Sequence, residues 1–168
     1  MDDRTIAAAI ATCFGNPAEP ISSVEARARI ALAPSAIVWE GDAQTFQFSF
    51  VSASAEQLLG YATTRWVTEP TFWADVVVVP DDRDEAIAYC ALATGKRADH
   101  VFEYRARCSD GSILWLRDYV QVIVGPRKIA SKLRGIMVDI SAERTVTHGL
   151  DQRSDFRVPS QEQLTTLS

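Results

Sequence analysis

The chain has 168 residues, is 47% hydrophobic and 23% charged, and carries a formal net charge of −5, which suits a single soluble domain with a true core plus flanking segments. Its Lys and Arg residues are scattered, and phosphate neutralisation needs them clustered, so nucleic acid and anionic membrane are disfavoured as main partners. No apolar run approaches the ~20 residues of a membrane helix, and the apolar stretch 6–14 follows two aspartates rather than the basic start of a secretory signal.

The cysteines Cys13, Cys90 and Cys108 are far apart and odd in number. They have no metal-site spacing and are expected to be reduced thiols of a cytoplasmic protein. Residues 3–14 predict a short helix stopped at Gly15-Asn16-Pro17, and residues 22–33 a second, with Pro34 ending it. Ala36–Glu40 predicts a strand, Gly41-Asp42 a turn, and 45–52 a second strand with Phe46, Phe48 and Phe50 on one face. Ser52 or Ser54 is placed to cap the short helix that closes on Gly60.

Residues 61–79 predict short helical turns holding Trp66 and Trp73, although Val76–Val79 alone has strand composition. Pro80-Asp81-Asp82 opens a longer helix, proline suiting the first turn and the acids the positive end of the dipole. Its apolar side is expected to hold Ala86, Ile87, Tyr89, Cys90 and Leu92. Three strands follow. The first runs over 101–108 and is joined by Ser109-Asp110-Gly111 to a long one over 113–124; the third returns over 129–140 after Gly125-Pro126. A polar helix is expected from Ser141 to about Leu150, and residues 151–168 are expected to fray. Five strands split two and three around a helical insert imply an α+β fold: a five-stranded antiparallel sheet with helices on one face.

Four local patterns in this order resemble the PAS family of sensory modules. Phe50-Val51-Ser52 with Ala55, Leu58, Leu59, Gly60 and Tyr61 resembles its second strand and following helix. Trp73 and then Val79-Pro80-Asp81-Asp82-Arg83 resemble its entry to the long helix. Glu103-Tyr104-Arg105, Asp110-Gly111 and Trp115 resemble its central strand pair, and Gly135 to Ser141 resembles its terminal G-x-x-x-DIT. Each pattern alone is weak; their joint order over residues 34–145 is specific. Val79 replaces a usual histidine, Ser52 a usual asparagine and Ser141 a usual threonine. The resemblance implies an N-terminal helical cap and linker over 1–33, a PAS domain with PAC-type C-terminal strands over 34–141, and an exit helix with a flexible tail over 142–168.

The residues themselves offer little catalysis. His100 reads as a solvated histidine and His148 lies in the exit helix or tail, neither in a nucleophile context. No Gly-rich phosphate loop is present. Through the resemblance, cysteinyl-flavin photochemistry is disfavoured because 62–79 lacks cysteine, and histidine-ligated haem because 80–97 lacks histidine; non-covalent flavin is left open and no cofactor is predicted. Cys90 reads as a small buried residue rather than a thiolate ligand or chromophore anchor.

Trp39, Phe50, Leu58, Trp66, Trp73, Tyr89, Phe102, Tyr104 and Trp115 are the candidate pocket residues, the alternative being a filled core. Asp139, with Ile140 and Ser141, is the candidate signal relay between the sheet and the exit helix. The long strand is apolar on both faces, so its second face needs the N-terminal helices, a second subunit or both; a homodimer is expected. The function expected is a cytoplasmic sensory or protein-interaction module without catalysis, in signal transduction of the bacterial two-component type. It would bind a small ligand or a protein partner in trans, or be the sensory part of a histidine kinase or cyclic-dinucleotide enzyme whose output domain lies outside this sequence. The rival is a small ligand carrier or enzyme with a cone-like curved sheet, for which Asp118 and Tyr104 are the candidate polar groups, Asp118 showing no apolar cage in its sequence neighbours.

Overall fold

The computed structural model describes residues 3–15, 35–144 and 157–159. Helix α1 spans Asp3–Phe14. The sheet is built from β1 (Ala36–Asp42), β2 (Phe48–Val51), β3 (His100–Arg107), β4 (Ile113–Val124) and β5 (Ala130–Asp139). Between β2 and β3 lie α2 (Ser54–Leu59), α3 (Thr63–Thr68), a π-helical turn (Trp73–Val77) and α4 (Pro80–Gly95); α5 (Ser141–Arg144) follows β5. The strand order is β2-β1-β5-β4-β3, every pairing antiparallel. The predicted five-stranded α+β sheet is therefore present. The helix expected over 22–33 and the exit helix beyond Arg144 lie outside the described residues.

Strand alternation gives the sheet two unlike faces. The inner face, under the helical insert, carries Ile37, Trp39, Phe102, Tyr104, Leu116, Val120, Leu133 and Met137 in the larger apolar cluster. The outer face carries Ala36, Val38, Phe50, Tyr119 and Ile136, which pack against Ile6, Ile10, Cys13 and Phe14 of α1. The cover that the sequence demanded for this second face is thus supplied, over that area, by the chain's own N-terminal helix.

Several local expectations are corrected. β1 continues through Asp42, and the turn lies beyond it: Asp42 Oδ1 accepts from the amides of Gln44 and Thr45, both at 2.8 Å. β2 starts only at Phe48, because Phe46 sits at φ 58° in that turn. The register then shifts: Glu40 pairs with Phe50 and Gly41 with Phe48. This bulge at Ser49 turns Phe50 to the outer face, whereas Phe48 stays inside.

Ser52 does not cap α2. Its Oγ accepts from the Val38 amide at 2.9 Å, tying β1 to the end of β2. α2 ends at Gly60, whose φ of 81° suits glycine and where a Cβ would lie 2.1 Å from Ser109 Oγ. Residues 73–77 are helical, and of the Val76–Val79 run only Val78 makes a strand-like bridge, to Ala106.

The buried side of α4 is Asp82, Ala86, Cys90, Ala93 and Thr94, while Ile87 and Leu92 are exposed. Asp82 is more than a helix-start acid. Fully buried, it receives the Arg105 guanidinium at 2.7 and 3.0 Å and the Arg105 amide at 2.9 Å, fastening α4 to β3. In the tail, where fraying was expected, Arg157 pairs with Glu103 on the free edge of β3 through amide–carbonyl bonds of 2.7 and 3.1 Å.

Candidate functional site

The inward positions of β4 are Leu114, Leu116, Asp118, Val120 and Val122. Asp118 is the one ionisable group in that series, and it is 1% exposed. Its neighbours in space come from other elements. Trp39 Nε1 on β1 donates to Asp118 Oδ1 at 3.0 Å. The Tyr104 hydroxyl on β3 lies 3.5 Å from Oδ2, at the limit of a hydrogen bond, and itself accepts from Trp73 Nε1 at 3.0 Å.

Burial pushes the Asp118 carboxyl up to about 7, against the lowering effect of the Trp39 and Tyr104 hydrogen bonds. Burial likewise carries Tyr104 well above its ordinary value. No Lys or Arg among the described residues pairs with Asp118.

Asp118 lines a nook of ≈ 20 Å³ with Trp39, Phe48, Trp73, Phe102, Val120 and Leu133. The nook shares Phe46, Phe48, Trp73 and Cys90 with a larger cleft of ≈ 210 Å³. That cleft is walled by Trp66, Phe72 and Ala74 and reaches the surface beside the exposed Phe46 and Ile87. Trp66 Nε1 is buried and has no hydrogen-bond partner among the described residues. Burial pushes the Cys90 thiol up to about 12, which keeps it neutral and fits the small-apolar reading rather than that of a thiolate ligand.

Of the nine pocket candidates, Trp39, Trp66, Trp73 and Phe102 line this space. Leu58, Tyr89 and Tyr104 pack on the same side without lining it. Phe50 and Trp115 are corrections. Phe50 is carried outward by the bulge and packs under α1. Trp115 is at an outward position of β4, where the Arg144 guanidinium lies 4.6 Å from the centre of its ring.

Two further readings change. His100 opens β3 and is buried rather than solvated; its Nδ1 donates to the Ala98 carbonyl at 2.9 Å and its ring packs on Tyr89 and Phe102. Burial lowers its pKa, so the ring is neutral, and it is not among the residues lining the cleft. Asp118, read as uncaged, has the cage described above.

The outer face of the same two strands holds an ion cluster. Arg117 donates to Glu103 at 2.7 and 2.8 Å and reaches Glu143 at 3.4 Å, and Arg144 pairs with Glu103. Glu143 and Arg144 belong to α5, so this cluster fixes the exit helix to β3 and β4. At the junction, Ser141 Oγ accepts from the Trp115 amide at 3.0 Å, the Ile140 amide donates to the Trp115 carbonyl at 2.9 Å, and the Ser141 amide donates to Asp139 Oδ1 at 2.9 Å. Among the described residues, no group of three or more His, Cys, Asp or Glu is arranged to hold a metal, and no helix is long and apolar enough to cross a membrane.

The family model described as PAS fold matches residues 48–137, more than half of the chain. No curated protein matches the sequence. Among solved structures, the N-terminal domain of a diguanylate cyclase with PAS/PAC sensor from Marinobacter aquaeolei is 32% identical with a TM-score of 0.61, over 65% of this chain and 98% of that one. A PAS domain from Colwellia psychrerythraea is 21% identical with a TM-score of 0.58, over 73% and 99%. The PAS domain of the fruit-fly ELK potassium channel is 13% identical with a TM-score of 0.55, over 70% and 97%. The last two similarities are likenesses of fold.

Proposed function

The chain belongs to the PAS fold family of sensory and signalling domains, and from that premise we propose that it is a non-catalytic sensor whose inner-face cleft takes a small molecule and whose exit helix reports it. One observation carries this reading: Asp118 and Arg117 are consecutive on β4 and face opposite ways. Asp118 lines the nook that adjoins the cleft, and Arg117 lies in the ion cluster that holds α5. β3 repeats the arrangement, with Phe102 and Tyr104 inside and Glu103 outside. A ligand that shifts the inner residues by a fraction of an ångström moves the outer ones with them, because they share a backbone. The Glu103–Arg117–Arg144 contacts are the element whose balance would change. Asp139, Ile140 and Ser141, at the strand-to-helix junction, are proposed as the relay, as the sequence suggests.

The same residues bear on cofactors. A flavin ring system presents a row of carbonyl and ring N–H groups at one end, which asks for matching amide groups deep in a site. The nook is lined by two carboxylate residues, Asp42 and Asp118, and by no side-chain amide. Gln47, on the adjoining cleft, donates its amide N–H to the Val67 and Glu69 carbonyls at 3.2 and 3.5 Å, so this lining offers little to the polar edge of a flavin.

The reading is tested by native mass spectrometry of the purified protein, followed by release and identification of bound small molecules. Hydrogen exchange at residues 141–144 is then compared with and without the released compound. A bound compound that alters exchange in α5 supports the sensor. A cleft that binds nothing, or a compound that leaves α5 unchanged, counts against it.

A further inference from the structure

We propose that the ligand of this cleft is a primary amine with a compact apolar tail, its ammonium group held by Asp118. The inference rests on the small-molecule reading above and names the class of molecule. A buried carboxylate is costly unless a positive group or several hydrogen bonds meet it. Among the described residues Asp118 has no cationic partner, although a carboxylate offers about four acceptor positions. Among the described residues, Oδ1 takes one N–H from Trp39 and Oδ2 has only the distant Tyr104 hydroxyl. The unmet demand is for a strong donor with positive charge, and the described residues supply none.

Size and surroundings narrow the donor. The nook beside Asp118 has ≈ 20 Å³, room for one water-sized group. An –NH₃⁺ head meets that limit and a trimethylammonium head does not. Trp39, Trp73 and Phe102 wall the nook, and aromatic rings attract organic cations more strongly where water is excluded. The ≈ 210 Å³ cleft beyond it, walled by Phe48, Trp66 and Phe72, takes an apolar body of about one substituted aromatic ring.

The test uses three probes that share a phenethyl body and differ in the head group: phenethylamine, the neutral 2-phenylethanol, and phenethyltrimethylammonium. Binding to the full chain is followed by calorimetry and tryptophan fluorescence at about pH 8, where the amine is protonated. The unaltered protein is expected to bind phenethylamine at least about tenfold more tightly than the alcohol, as a charge-assisted bond to a buried carboxylate implies, and to exclude the quaternary ion. Asp118→Asn keeps the shape and removes the charge; it should erase the amine's advantage and spare the alcohol. The amine-to-alcohol ratio in the unaltered protein is informative even if the variant folds poorly.

Equal or tighter binding of the alcohol, tight binding of the quaternary ion, or an amine affinity unchanged in Asp118→Asn would overturn the amine assignment while leaving a ligand-binding cleft. Failure of all three probes to bind would overturn the assignment. The sensor reading then stands or falls on the compound released from the purified protein.

Discussion

Trp39 on β1 reaches across β5 to donate its indole N–H to Asp118 on β4, over 3.0 Å. Gly135 makes the reach feasible. It pairs with Trp39 on one side and Val120 on the other, and a Cβ there would lie 2.5 Å from Trp39 Nε1. The indole therefore occupies the space of the missing side chain. Gly135→Ala must displace it, with an expected loss of about 1–3 kcal/mol, the range for overpacking a core. In a Trp39→Phe background the smaller ring leaves room, so the same substitution should cost less. Urea unfolding of the four proteins measures the coupling, and strictly additive losses would show that the two residues do not share this space.

Asp118 makes stability depend on pH in an unusual direction. Its carboxyl is held at about 7 in the folded protein, above the 3.8 of an ordinary aspartate. Between those values the folded state holds a proton that the unfolded state has released, so stability falls as pH rises through that window. Below the lower value the group costs nothing; above the upper value its full cost, a few kcal/mol at most, is present. Asp118→Asn removes the titration and keeps an acceptor for Trp39. The variant should melt higher than the unaltered protein at about pH 8, and the gap should shrink toward about pH 5. Thermal melts across that range decide the matter, and a gap independent of pH would mean that Asp118 does not titrate there.

How this site relates to the sequence follows from strand geometry. The series 114, 116, 118, 120, 122 marks an inward face with an acid at its centre, and that signal was present in the linear pattern. Arg117 and Tyr119, the sequence neighbours of Asp118, do not carry that signal, because alternation sends them to the opposite face. The cage around Asp118 comes from Trp39, Tyr104 and Leu133, distant in sequence and adjacent only once the strand order is known. Phe50 departs from the pattern for a different reason: the bulge at Ser49 reverses facing within four residues, and a period of two holds only where no such reversal occurs. The five strands and the order of helices were legible because each is carried by local periodicity and turn chemistry, as at Asp110-Gly111, where Gly111 takes φ 89°.

Asp82 and Arg105 form the other buried attachment of the cleft wall. Asp82 meets both the side chain and the amide of Arg105, so Asp82→Ala removes an acceptor from a guanidinium and from a backbone N–H at once. Because Arg105 retains some exposure, the loss is expected to fall below the 3–5 kcal/mol seen for broken buried pairs, at about 2–3 kcal/mol. Since α4 carries Cys90 into the cleft, the variant should also loosen the wall and raise hydrogen exchange along 80–95. A loss below about 0.5 kcal/mol, the range of an unimportant surface change, would mean that the attachment is dispensable.

The exit helix offers a test of coupling that leaves the cleft untouched. Glu103 joins Arg117 on β4 to Arg144 on α5, while the side chains next to it on β3, Phe102 and Tyr104, face inward. Glu103→Gln keeps the shape and weakens both ionic contacts. It should therefore raise hydrogen exchange in 141–144 several-fold while leaving ligand affinity within about twofold, because no atom lining the cleft changes. Ser141→Ala removes only the acceptor for the Trp115 amide and should loosen the same helix by a smaller amount, on the order of 1 kcal/mol. In either variant, ligand-induced protection of α5 should be reduced. If Glu103→Gln leaves that protection whole, the signal does not pass through the ion cluster, and the junction at Asp139 and Ser141 is the remaining route.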